Sequence, residues 1–344
     1  MPEKKSRAPR SSSEGGLRRL IAAGQGKRVV VFGDLIADEY VYGRIARVSR
    51  EAPVLILEYN ATEIIPGGAG NAANNVAALG VTVHLVSLVG RDEPGQRVFK
   101  VLPRTVDRSG LISPAVYRTP VKTRILAGGI HSAKQQVVRI DRYADEPVSE
   151  RHRNLVERAA MRAIKDADAV LVSDYGSGLV TPRFVGELAS RARDRKPNVP
   201  ILIDSRYALT RYVGLTACTP NESEVEQVLG VRIDDRRAVL ERAGRQLLER
   251  TRMSCVLITR GSRGMAVFET GKKTVHIPIF GSDQIADVTG AGDTVMATMT
   301  LALAAGATFE EAARLANYAG GLVVMKRGTA TVSAAELRRA VSNG

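Results

Sequence analysis

From residue 28 onward, short β-branched runs and amphipathic stretches take turns along the chain, and this alternation restricts the fold more than any other property. Arg28-Val29-Val30-Val31-Phe32-Gly33-Asp34 reads as a buried strand closing on a turn. Asn71 to Leu79 is a helix stopped by Gly80, followed by a strand over Val81 to Val89 and a turn at Gly90-Arg91-Asp92. The helix around Arg151 to Ala167 leads into Ala169–Asp174, and that around Pro182 to Asp194 leads into Pro200–Asp204, with a short strand at Val213 to Thr219. A helix near Arg236 to Arg250 precedes Ser254–Thr259, two antiparallel-looking strands follow at Met265–Phe268 and Lys273–Pro278, and helices close the chain. Such alternation implies right-handed crossovers, hence an α/β fold with a mostly parallel central sheet and helices on both faces. Residues 53–65 and 121–140 alternate without intervening helices, so a small β-flap, built from about 40–65 and 112–142, is expected as an insertion into one domain spanning 28–340.

With 344 residues and 44% hydrophobic content the chain can bury one large core. No run approaches the roughly 20 apolar residues that span a bilayer, and no apolar signal segment opens the sequence, so a cytoplasmic location without membrane contact is expected. Cys218 and Cys255 lie in apolar runs without a partner at metal-ligand spacing and read as reduced core thiols. The formal charge of +14 is concentrated in part in residues 1–27, where Lys4, Lys5, Arg7, Arg10, Arg18, Arg19 and Lys27 face only Glu3 and Glu14. That segment is expected to be a disordered basic tail. The remaining arginines are dispersed and aromatic content is 4%, which argues against nucleic acid as a partner.

Chemistry concentrates in three places. Asp287-Val288-Thr289-Gly290-Ala291-Gly292-Asp293 runs into Thr294–Ala305, a helix apolar nearly all round that ends at Gly306. A buried helix N-terminus leaves amides that an anion can satisfy, so the N–H groups of Gly290, Ala291, Gly292 and Asp293 form a candidate nest for a transferring phosphoryl group, with Asp293 as base toward an alcohol. Read alone, Asp293 is a helix cap as readily as a base. Thr219-Pro220-Asn221-Glu222-Ser223-Glu224 places Asn221 and Glu224 on one helical face, able to hold Mg²⁺ through its waters or simply to cap a helix. Pro66-Gly67-Gly68-Ala69-Gly70-Asn71 reads as a backbone that approaches a polyol, with Asn71 bonding its hydroxyls. It also matches Gly-x-Gly-x-x-Ala with Asp92 about twenty residues on, a dinucleotide fingerprint that stays open as a rival.

Lesser candidates sit at strand ends. Asp34 and Asp38 follow the first strand, where ligands of open α/β sheets bind, and are candidate sugar-hydroxyl acceptors. Thr259, Gly261 and Gly264 could lie along a nucleotide, with Asn317 near its adenine or ribose, while Arg44, Arg47, Lys122, Arg124, Arg139 and Arg142 are unranked candidates for an anionic substrate.

Together these motifs resemble the ribokinase (PfkB) sugar-kinase family: the Asp287–Thr294 run its catalytic signature, Gly67-Gly68-x-x-Asn71 its sugar-side signature and Asn221-x-x-Glu224 its magnesium motif. The resemblance implies a ribokinase-like fold and ATP-dependent phosphorylation of a sugar, with ATP and Mg²⁺ as cofactors, Glu222 and Ser223 beside the nucleotide, and Asp287 near a possible monovalent cation. Gly33-Asp34, Asp38-x-Tyr40-x-Tyr42-Gly43, Arg47–Val54, Ser173–Gly178 and Gly328-Thr329-Ala330-Thr331-Val332-Ser333 resemble, within that family, the D-glycero-β-D-manno-heptose 7-phosphate kinases. That likeness implies phosphorylation at O1 in ADP-heptose biosynthesis, with a separate adenylyltransferase as pathway partner; flap edges in such folds often pair, so a homodimer is expected. Another family kinase acting on ribose, fructose or a fructose phosphate, or a non-catalytic nucleotide- or sugar-binding protein, are the alternatives.

Overall fold

A computed structural model describes residues 14–128, 134–143, 147–281, 287–326 and 328–343. The chain runs through α1 (Glu14–Gly24) and β1 (Arg28–Gly33), crosses at once into two long strands, β2 (Leu35–Val48) and β3 (Leu55–Gly68), and returns through α2 (Ala69–Ala78), β4 (Thr82–Leu88), α3 (Glu93–Val101) and β5 (Val106–Ile112). A second excursion makes β6 (Val121–Gly128) and β7 (Gln135–Arg142), followed by α4 (Glu150–Ala163), β8 (Ala169–Asp174), α5 (Pro182–Arg195), β9 (Ile201–Ser205), β10 (Ala217–Cys218), α6 (Glu222–Leu229) and α7 (Arg237–Thr251). The chain ends in β11 (Cys255–Thr259), β12 (Met265–Glu269), β13 (Val275–Ile277), α8 (Ala291–Ala304), α9 (Phe309–Val323) and α10 (Ala334–Asn343).

Nine strands form one sheet in the order β13-β12-β11-β10-β9-β8-β1-β4-β5. It is parallel except where β12 pairs antiparallel with β11 and β13. Because side chains alternate across a strand, β1 feeds two cores: Val29 and Val31 point into one with α1, α2, α8, α9 and α10, and Val30 and Phe32 into the other with α4, α5 and α7. A strand covered on both faces therefore reads as an unbroken apolar run. Phe32 is fully buried and meets Phe184 edge-on at 5.3 Å, an anchor worth about 2–3 kcal/mol from burial alone.

The other sheet has the order β3-β2-β6-β7, with β2 antiparallel to β3 and parallel to β6. Its root is tight. Leu35 pairs with Gly68, whose φ of 55° suits only glycine and whose missing Cβ would lie 2.3 Å from the Asp34 carbonyl oxygen.

Three expectations need correction. The segment expected to be a disordered tail contains α1, which buries Leu17 and Ile21 against the C-terminal helices, so an amphipathic face lay within the basic run; residues 1–13 of that tail lie outside the described residues. The flap starts at Leu35 rather than near 40, and residues 106–112 belong to the large sheet as β5, so its second half begins at Val121. The strand expected over Val213 to Thr219 shrinks to Ala217–Cys218. Both cysteines are free and buried. Among the described residues no helix is long and apolar enough to cross a membrane.

Candidate active site

Helix α8 is buried from Asp293 to Ala302, and Gly290 caps it at φ 79° without a side-chain bond. A Cβ at Gly290 would sit 2.9 Å from Asn71 Nδ2 and 3.2 Å from Thr329 Cγ2, so this backbone is pressed between the sugar-side loop and the loop before α10. First-turn amides have no intrahelical carbonyl to meet. Of the four expected to form an anion nest, the Ala291 N–H is already donated to the Val288 carbonyl at 3.2 Å, which removes it from the set.

Asp293 is 8% exposed. Asn71 Nδ2 donates to its Oδ2 at 2.5 Å; Asn75 Nδ2 in turn donates to Asn71 Oδ1 at 3.2 Å and to its carbonyl at 3.0 Å, and the Thr294 hydroxyl donates to Asn75 Oδ1 at 2.6 Å. The polar chain fixes the carboxylate from α2. Burial lifts its pKa to about 7, against the hydrogen bond from Asn71 and the charges of Lys122 and Arg206, with Asp38 adding to the rise. A carboxylate near neutrality in a concave site is suited to accept a proton. The asparagine ladder also disposes of the dinucleotide fingerprint: α2 follows the antiparallel strand β3 rather than a parallel one, and Asn71 is spent on Asp293.

A cavity of about 430 Å³ opens over this helix end. It gathers Gly290, Ala291, Gly292 and Asp293 from α8, Asn221 and Glu224 from the start of α6, Thr259, Gly261 and Gly264 from the β11–β12 turn, and Asn317 from α9. Asn221 and Glu224 cap each other: Asn221 Oδ1 accepts from Glu224 N and Glu224 Oε2 from Asn221 N, both at 2.9 Å. The cap uses one oxygen of the carboxylate, so capping and a face toward the cavity coexist. Asn317 Nδ2 donates to the Pro278 carbonyl at 2.8 Å, which holds the α9 wall to the strand end rather than leaving the amide free. Glu222 and Ser223 fall outside the lining. Glu222 turns away to pair with Arg260 at 2.7 Å and with Arg263, which corrects its expected place beside a nucleotide.

The expected acceptor residues lie in the flap and at its root, off the cavity wall. Asp34 is buried and accepts from the amides of Tyr175 (2.8 Å) and Ser177 (3.3 Å) and from the Ser177 hydroxyl, so it serves the 175–178 loop; burial raises its pKa to about 6. Asp38 backs onto Gly67 and is paired with Arg124 at 2.5 Å, and Arg139 is paired with Asp141 at 2.5 Å.

Sequence reasoning passed over Asp204, Arg206 and Tyr175, which also line the cavity. Asp204 lies in the last two residues of a parallel strand, at the end where such sheets place ligands, and that signal was available. Burial, then the neighbouring charges of Asp293 and Glu224, lift its pKa to about 8. Tyr175 is pushed well up, chiefly by Asp293.

An acid whose folded pKa lies above its unfolded value, about 3.9, contributes stability that is full below that value and lost as pH rises toward the folded pKa. The ligand-free protein should therefore lose thermal stability between about pH 4 and 8, and Asp204→Asn should flatten that loss. Melting curves across pH check this; an unchanged slope would mean that Asp204 does not titrate there.

A parallel sheet with a two-excursion flap and an anion-ready helix end beside a buried carboxylate defines a phosphotransferase class. The description "pfkB family carbohydrate kinase" matches residues 27–336, and the chain belongs to that family. It is 41% identical over 320 residues to the bifunctional protein HldE of Geobacter metallireducens, covering 92% of this chain and 64% of that protein, and 41% identical over 314 residues to HldE of Geobacter sulfurreducens, covering 90% and 61%. The chain thus spans less than two thirds of the length of these relatives. In three dimensions it is similar to Arabidopsis thaliana ribokinase complexed with ribose and ATP (TM-score 0.71, 20% identity, 92% of this chain and 99% of that one) and to Escherichia coli phosphofructokinase-2 in complex with potassium (TM-score 0.72, 17% identity, 93% and 99%). These likenesses establish a ribokinase-like fold.

The family implies ATP and a divalent cation such as Mg²⁺. Among the described residues no three His, Cys, Asp or Glu side chains cluster to ligate a metal directly. An amide and a carboxylate on the cavity wall, Asn221 and Glu224, fit a hard cation that keeps its water shell.

Proposed function

We propose that the protein is an ATP-dependent kinase that phosphorylates D-glycero-β-D-manno-heptose 7-phosphate at O1, giving the 1,7-bisphosphate and ADP, in ADP-heptose biosynthesis. The observation that carries this reading is the 2.5 Å bond from Asn71, in the sugar-side motif, to Asp293, in the phosphoryl-side motif. A carboxylate of near-neutral pKa held between the two motifs is what transfer of a phosphoryl group to a sugar hydroxyl would use. The choice of sugar rests on the subfamily-like stretches around Tyr40, Ser173–Gly178 and Gly328–Ser333, and the similarity to HldE proteins supports it.

In the reaction, Asp293 takes the proton of the O1 hydroxyl as the O1–phosphorus bond forms. The bond from phosphorus to the β-bridging oxygen breaks, and ADP carries away the electron pair. The amides of Gly290, Gly292 and Asp293, with the positive end of α8, would meet the charge that develops on the transferring group. Asn71 orients the base, and Asn221 and Glu224 would hold Mg²⁺ through its waters. When bound, that ion neutralises phosphate charge.

The same reading includes three finer points. Asp287, whose carboxylate accepts from the amides of Thr289 (2.9 Å) and Gly328 (3.1 Å), marks a place for a monovalent cation beside α8. Exposed Val48, Leu55, Tyr59 and Ile140 suit pairing of two flaps in a homodimer. A cytoplasmic location and an adenylyltransferase activity in the same pathway complete it.

An ADP-release assay over a sugar panel tests the assignment. The heptose 7-phosphate should give the highest kcat/KM. Ribose, fructose or fructose 6-phosphate turning over as well would replace the sugar, and nucleotide binding without any turnover would point to a non-catalytic protein.

A further inference from the structure

The flap is rich in cations, and the structure sorts them by whether their charge is already met. Arg44 pairs with Glu58, Arg124 with Asp38, Arg139 with Asp141, and Arg142 with Glu39. Arg47 is exposed, so water satisfies it. Lys122 differs from all of these. It is 8% exposed, yet among the described residues its side chain makes neither an ion pair nor a hydrogen bond. Its ammonium rests instead on the ring of Tyr175, 4.6 Å from the centroid.

The stem of Lys122 is buried, but its Nζ is not among the fully buried atoms without a partner, so an incoming anion can still reach the ammonium, and a long basic side chain so little exposed is rarely left unpaired. Desolvation accordingly pulls the Lys122 pKa down, while Asp38 and Asp141 act against that pull and Arg206 and Arg139 reinforce it. The residue opposite it on β2 is Asp38 and on β7 Asp141, and each of those carboxylates already carries an arginine. Lys122 also lies within electrostatic reach of Asp293, but it does not line the nucleotide cavity, where Arg206 is the cation on the wall. It therefore faces the acceptor side, one aromatic ring away from the base.

We infer, resting on the phosphosugar reading above, that Lys122 anchors the phosphate already carried by the acceptor and is the residue that selects a phosphorylated sugar over the same sugar without its phosphate. Tyr175 is the platform that keeps the ammonium in place before the phosphate arrives. Arg44, Arg124, Arg139 and Arg142, already neutralised by their own carboxylates, position β2, β6 and β7 rather than bind substrate.

The test compares wild type, Lys122→Met and Lys122→Arg on two acceptor pairs, heptose 7-phosphate with heptose and fructose 6-phosphate with fructose. It reads kcat/KM and, separately, calorimetric binding of each sugar without ATP. Lys122→Met keeps the length and apolar stem of the side chain, and melting curves check that it folds. Expected is a loss of about 10²-fold for the phosphorylated members, mainly in KM, with little change for the unphosphorylated ones and for the KM of ATP, and partial recovery in Lys122→Arg. Equal losses within each pair, or no loss, would overturn the inference. A wild type that turns over fructose 6-phosphate but no heptose sinks the choice of sugar alone, since phosphate selectivity is still read on the other pair. A wild type that binds phosphorylated and unphosphorylated members alike overturns the role of Lys122 directly.

Discussion

Asp293→Asn should lower kcat by at least about 10²-fold, the usual worth of a positioned base, while ATP binding persists. The amide keeps the shape of the carboxylate and can still meet Asn71 after a rotation, so the helix end and its anion nest survive while the proton acceptor is lost. The pH profile adds a second signature. With a pKa near 7, Asp293 is protonated and idle on the acid side, so wild-type kcat/KM should fall as pH drops below about 7 and the residual rate of the variant should lack that limb. Steady-state ADP release with nucleotide titration measures both. A variant with near wild-type kcat would remove Asp293 from the role of base.

Gly290→Ala should cost about as much in rate with no charge altered. The added methyl meets Asn71 Nδ2 at 2.9 Å and Thr329 Cγ2 at 3.2 Å, so the amide that holds the base must shift, and displacements below an ångström in such a site can cost about 10²-fold. The left-handed φ of 79° adds roughly 1–2 kcal/mol of backbone cost. Gly306→Ala, just past the other end of the same helix, is the control: its φ is 88°, but a Cβ there meets nothing within 4 Å. The two variants should lose comparable thermal stability, and only Gly290→Ala should lose kcat. Equal kcat values would mean that the contact with Asn71 does not govern the base.

What the amino-acid sequence disclosed followed the range of each signal. The Gly-Ala-Gly run, the apolar helix behind it and the glycines before Asn71 are local patterns with few structural solutions, and they led to the two sides of the site. The parallel sheet was legible because strands buried on both faces cannot hide their apolar runs. Helix α1 was masked by charge: Leu17 and Ile21 stand four apart within a basic segment that net charge alone describes as unfolded. Glu222 was misplaced because adjacency to Asn221 says nothing about which side of a helical turn faces the cavity; here that side faces Arg260. Lys122 could not be told from its neighbours, since the sequence shows how many cations the flap carries but not which have found a carboxylate.

The root of the flap has a consequence for fidelity. Strand β2 leaves the large sheet at Asp34 and β3 returns at Gly68, where the Ala69 amide donates to the Asp34 carbonyl at 2.9 Å, and two residues further on Asn71 grips Asp293. Only a few bonds therefore separate the root of the flap from Asp293. On the proposed kinase reading, a sugar that orders the flap would therefore also set Asn71 and Asp293, whereas water, which can touch only the base, would not.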